Sequence, residues 1–220
     1  MTAATENLYK FAGWIVTIVT PFALILTAVR ILLTPVWVQI EYRMPRFPED
    51  PYGFTLEERL KWSLVSLEYL LNDEGIDFLQ SQRFDDDVPI YNERELQHME
   101  DVKGVVQGVL VVWWSSLAFL LVTGLLSKWG GWGSIFKTGL LRGGWATIGI
   151  VGVVLVFVVL AFGVFFVYFH QVFFDAGTWT FSFADTLIRL FPMRFWQDAF
   201  LWIGGLTILA SLWLISMAKN

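Results

Sequence analysis

Two residues in this 220-residue chain stand apart as acid–base groups: His98 and His170, its two histidines. An unperturbed imidazole titrates near 6.5, so either can take up and return a proton around neutral pH. His98 sits in RELQHMEDVK, with Glu95 three residues before it and Asp101 three residues after. On a helix that spacing puts one or both carboxylates on the imidazole's face, where a carboxylate would hold the tautomer and strengthen the base. The blander reading of the same residues is a solvated charged face, and of either histidine alone an interfacial side chain with its polar edge wet. His98, Asp101 and His170 could instead hold a metal, but their spacing matches no zinc motif, so neither metal nor cofactor is expected. The chain contains no cysteine, which removes thiolate nucleophiles and thiolate ligands.

What must position these groups is a membrane scaffold. Hydrophobic side chains make up 56% of the chain and charged ones 16%. Lys10 and Arg30 bracket 19 uncharged residues, Lys103 and Lys128 bracket 24, Arg142 and Asp175 bracket 32, and Asp198 and Lys219 bracket 20. A helix needs roughly 20 such residues to cross a hydrocarbon core of about 30 Å, so four spans fit and no fifth is available. The expected fold is an all-α membrane protein with transmembrane helices at 11–33, 104–126, 146–170 and 199–218. The first run has mixed-charge flanks and no clear A-x-A site after it, so it is expected to anchor the chain rather than be removed.

The connection 127–143 carries Lys128, Lys137 and Arg142 and no acid, the pattern of a cytoplasmic loop. Both termini then face the cytoplasm, and the segments 41–100 and 171–198 lie outside. The net charge of −5 is unevenly spread, because sixteen of the twenty acids fall between Glu41 and Asp101. That outer segment reads as a helical domain. Thr55 and Glu58 form a capping-box pattern, Leu56, Leu60, Leu64, Leu67 and Leu71 follow at helical spacing, and Asn92 with Glu95 marks a second helix start. Segment 171–198 is too aromatic for water and too charged to cross, which suits the membrane interface.

This topology brings the two histidines to one depth. The second span runs inward about one and a half turns after His98, and the third runs outward to end at His170. The short link between these spans favours an antiparallel pair. Arg30, near the outer end of the first span, and Arg43 are candidates to position a substrate, as are Asp185 and Arg189, which lie one turn apart and would pair on a helix.

Three stretches resemble the lipoprotein intramolecular transacylase family of bacterial four-span membrane proteins: EYRMPRFPEDPYGFTLEERL, YNERELQHMEDVK and YFHQVFFDAGTWTFSFADTLIRLFPMRFW. The resemblance implies an acyltransferase of the bacterial plasma membrane. Its substrate would be a lipoprotein whose N-terminal cysteine carries a diacylglyceryl thioether, and the sn-2 acyl chain would move to the cysteine's α-amino group to leave a lyso-form. It implies two catalytic histidines at the positions of His98 and His170. On chemical grounds His98 is expected to be the base, oriented by Asp101 or Glu95, and His170 the oxyanion and leaving-group partner, with the reverse assignment open. The partners expected are the lipoprotein and membrane lipid, not nucleic acid. The rival readings are a metal-assisted membrane hydrolase or lipid transferase and a non-enzymatic envelope assembly protein. A transporter is disfavoured because the spans carry almost no charge.

Overall fold

The computed structural model describes residues 2–219. In chain order the elements are α1 (Ala3–Leu32), α2 (Pro35–Glu41), α3 (Leu56–Leu71), α4 (Asp77–Gln80), α5 (Glu93–Trp129), α6 (Gly133–Phe173), α7 (Thr186–Leu190) and α8 (Met193–Lys219). Among the described residues the regular structure is all-helical, and α1, α5, α6 and α8 are the four helices there long and apolar enough to cross a membrane. The basic connection is more helical than the sequence suggests. Ser127–Trp129 belong to α5 and everything from Gly133 onward to α6, so the turn is residues 130–132. Gly131 takes a left-handed φ of 72° there, which an L side chain would resist.

Chain segments group into two compact units, each built from several parts of the sequence. The first comprises 1–30, 109–157 and 201–220. In it α1 and α6 approach closely through small residues, as helices in lipid must when no hydrophobic effect drives them together. A Cβ on Gly139 would come within 2.6 Å of the Gly13 carbonyl oxygen, and one on Gly143 within 2.5 Å of the Thr20 Cβ. Several polar groups in this unit are paired within the bundle: the Thr20 and Thr147 hydroxyls donate to carbonyls one turn back, and the Trp113 indole donates across helices to the Thr27 hydroxyl at 2.9 Å.

The second unit, 31–108 and 158–200, carries both histidines. Its core is Trp62, Tyr69, Leu79, Ile90, Tyr91, Met99, Leu187 and Leu190. The capping box expected at Thr55 and Glu58 is formed in full and starts α3. The leucines of α3 do not form its buried face: Leu56 and Leu71 are exposed and only Leu67 is buried. The inward side is instead Arg59, Trp62, Ser63, Ser66 and Tyr69. Polar residues can face inward here because each finds a partner. Ser63 bonds the Tyr42 hydroxyl, Ser66 bonds the Tyr91 hydroxyl at 2.8 Å, and the Arg59 guanidinium donates to the Pro48 carbonyl at 2.7 Å. Pro21 is accommodated within α1, while Pro35 opens α2 behind the N-cap Thr34.

Candidate active site

His98 lies in the second turn of α5 and His170 in the last turn of α6. Their ring centroids are 6.1 Å apart with planes 21° from parallel, and both side chains are buried, at 9% and 8% exposure. α6 is interrupted at Ala161, whose φ of −149° and ψ of 47° are not helical, so His170 rides on a separate terminal segment of that helix. Phe174 packs against both rings, with centroids 4.8 Å from His98 and 5.5 Å from His170. Phe181 covers His98 at 5.3 Å; Phe166 and Trp179 cover His170 at 4.1 and 4.9 Å. A wall of rings excludes water and strengthens any electrostatic interaction made inside it.

The hydrogen bonds of the two imidazoles differ. His170 Nδ1 lies 2.8 Å from the Phe166 carbonyl oxygen. A carbonyl only accepts, so Nδ1 carries the proton and Nε2 is left with a free lone pair. His98 Nδ1 is buried without a hydrogen-bond partner among the described residues. The carboxylates that flank it in sequence do not bond to it. Glu95 is 1% exposed and accepts from the Asn92 backbone N–H at 2.9 Å and from the Leu187 N–H at 2.6 Å, which ties the start of α5 to α7. Asp101 accepts from the Gln97 amide at 3.2 Å. It also lines a cavity of about 340 Å³ with Gly104, Val105, Phe173, Phe174 and Asp175. That cavity adjoins the histidines through Phe174 and presents two carboxylates.

The remaining candidates lie elsewhere in the fold. Arg189 does not pair with Asp185: its guanidinium makes three hydrogen bonds to Asp50, the shortest 2.9 Å, and stacks 3.6 Å over Phe54. Asp185 instead accepts from the Ser182 N–H at 2.8 Å and caps the loop before α7. Burial pushes the Asp50 carboxyl upward, but its bonds to Arg189 and to the Phe54 N–H outweigh this and hold it below its ordinary value. Arg43 is exposed and donates to the Gln39 carbonyl. Arg30 closes α1 and belongs to the other unit. Among the described residues no group of three or more His, Cys, Asp or Glu is placed to hold a metal ion. The aromatic wall was visible in the sequence only as a Phe- and Trp-rich interfacial stretch. Spacing alone did not single out Phe174, Trp179 and Phe181.

The family model described as lipoprotein intramolecular transacylase Lit matches residues 14–196. The chain belongs to the Lit family. Its activity is accordingly that of an acyltransferase, an integral-membrane lipoprotein intramolecular transacylase. An uncharacterised protein of Aquifex aeolicus is 32% identical to it over 209 residues, covering 91% of this chain and 89% of the relative. The solved Lit transacylase of Bacillus cereus shares its fold, with a TM-score of 0.81 at 19% identity over 99% of this chain and 96% of that one. A histidine-to-arginine variant of the Bacillus cereus protein aligns with a TM-score of 0.69 at 15% identity, over 98% of this chain and 92% of that one.

Proposed function

We propose that this transacylase moves the sn-2 acyl chain of an S-diacylglyceryl cysteine to the α-amino group of the same cysteine. The observation that carries the reading is a pair of buried imidazoles 6.1 Å apart, one of them with its Nε2 left as a free acceptor. The hydrogen bond to Phe166 favours His170, rather than His98, as the base. The amine nitrogen attacks the ester carbonyl carbon while His170 Nε2 takes its proton, and the resulting imidazolium keeps its Nδ1–H bond to the Phe166 carbonyl. His98 donates to the tetrahedral oxyanion. Collapse of that intermediate breaks the bond to the glyceryl oxygen, which receives the proton from His170, so the enzyme ends as it began. Amine and ester belong to one molecule, so holding them together supplies much of the acceleration without a covalent enzyme intermediate. The lack of a cysteine nucleophile is consistent with this.

Asp101 and Asp175, in the cavity beside Phe174, suit the ammonium form of the substrate's N-terminus before it gives up its proton. In this reading Arg189, Asp185 and Glu95 build the outer domain, and Arg30 and Arg43 remain positioning candidates. The protein would sit in the bacterial plasma membrane with both termini cytoplasmic and the histidines outside, where lipoproteins are matured.

The test is mass spectrometry of one lipoprotein's N-terminal peptide from a host lacking N-acylation, with and without this chain. The expected product has the mass of the diacylglyceryl peptide, with fragments placing one acyl chain on nitrogen. His98→Ala and His170→Ala are each expected to lower the rate by about 10²–10⁴-fold, the usual contribution of a proton-transfer group. Full conversion by both variants would refute the assignment, and an unchanged peptide with inserted wild-type protein would refute the reaction.

A further inference from the structure

Of the aromatic side chains that pack against the two imidazoles, Trp179 alone carries an N–H. Its indole Nε1 is buried and has no hydrogen-bond partner among the described residues. Indole nitrogen is a donor only, and leaving such a donor dry and unpaired is costly, so an orphan in a native fold points to a partner that arrives later. The indole packs on His170 with centroids 4.9 Å apart. The other orphaned polar atom of this ring cluster is His98 Nδ1. Two unpaired polar atoms thus flank the imidazole that bears the free Nε2, inside a lining that is otherwise Phe166, Phe169, Phe174 and Phe181.

The loop that carries Trp179 is held at both ends. The Thr178 hydroxyl and backbone N–H both reach the Asp175 carbonyl, at 3.1 and 3.3 Å, and Gly177 takes a left-handed φ of 92° in that turn. Downstream, Asp185 accepts from the Ser182 N–H and the Ala184 N–H donates to the Ser182 hydroxyl. Trp179 is therefore presented by a defined turn, which is what a preorganised donor requires.

We propose that Trp179 is a catalytic residue of the transfer: its Nε1–H donates to the carbonyl oxygen of the reacting ester and holds that oxygen as negative charge develops on it. This rests on the transacylase reading above. Together with His98 it would form a two-donor oxyanion site, the amine proton still travelling through His170 to the glyceryl oxygen. The ligand class is an ester carbonyl becoming a tetrahedral oxyanion.

The experiment uses the purified full chain in lipid nanodiscs and a synthetic S-diacylglyceryl cysteine peptide. Trp179→Phe removes the donor together with one ring. Replacing the Trp179 indole by its isostere benzothiophene, through a non-natural amino acid, removes the N–H alone. The isostere is expected to lose kcat by about 10²–10³-fold, as other enzymes do when one oxyanion donor is deleted. KM and melting temperature should stay near wild type. An isostere as active as the wild type overturns the proposal, whatever Trp179→Phe does, because the ring alone would then be what matters. A wild-type chain that leaves the peptide unchanged overturns the transacylase reading instead, so the two failures are distinguishable.

Discussion

Glu41 shows what burial does to one side chain. It is 0% exposed, both its carboxyl oxygens lack a hydrogen-bond partner among the described residues, and the Asp198 carboxyl lies beside it. Burial first, and then the neighbouring Asp198, push its carboxyl up to about 8 from an ordinary value of 4.5, while the Arg194 charge pulls it partly back. Because the folded protein holds this proton more tightly than the unfolded chain, the group contributes stability that is complete below about pH 4.5 and is lost as the pH rises toward about 8. Glu41→Gln should remove that dependence. Melting temperatures measured in detergent from pH 5 to 9 are expected to fall further in the wild type than in the variant, leaving Glu41→Gln the more stable at pH 9. Parallel curves would show that Glu41 does not titrate in this range. A carboxylate three residues away on a helix is near enough to orient an imidazole, yet Glu95 and Asp101 have other partners, and only the assembled fold could show which.

Among elements, α7 is short and would not persist alone, since five residues cannot repay helix nucleation. It is held by what it docks on. The Leu187 N–H bonds the Glu95 carboxylate at 2.6 Å, the Thr186 hydroxyl bonds the Ile90 carbonyl at 2.6 Å, and the Leu190 carbonyl takes the Tyr42 hydroxyl. Glu95→Ala leaves the buried Leu187 N–H unpaired, at a cost of about 1–3 kcal/mol, and also removes the bond from the Asn92 N–H, so this variant is expected to melt below wild type. It should still show transacylase activity at temperatures where it stays folded, because Glu95 touches neither imidazole's nitrogen. Loss of turnover with an unchanged melting temperature would return Glu95 to a direct role at His98. The leucines of α3 make a parallel point. Five leucines at helical spacing located the helix, but its inward face went to the residues that could bond Tyr42, Tyr91 and Pro48.

For the whole molecule, the charge asymmetry of the connections makes a topological prediction. Reporter fusions at either end of the chain and within 127–143 are expected to be active only in cytoplasmic form, and fusions within 41–100 or 171–198 only in exported form. A reversed pattern would put the histidines on the wrong side for lipoprotein maturation. The sequence by itself determined the number of spans, the helical class, the capping of α3, and a pair of histidines at one depth. These follow from run length and local hydrogen bonding, which act along the chain. The tertiary structure decided which partner each polar group took, because that depends on residues brought together from far apart. Arg189 chose Asp50 over the nearer Asp185, a contact across 139 positions, and gained a buried, multiply bonded pair in place of a solvated one. His170 took the Phe166 carbonyl and so freed Nε2, and the half-buried Trp179 was left beside it with a buried indole N–H that has no partner among the described residues. Those outcomes were set by burial and by competition for partners rather than by spacing along the chain.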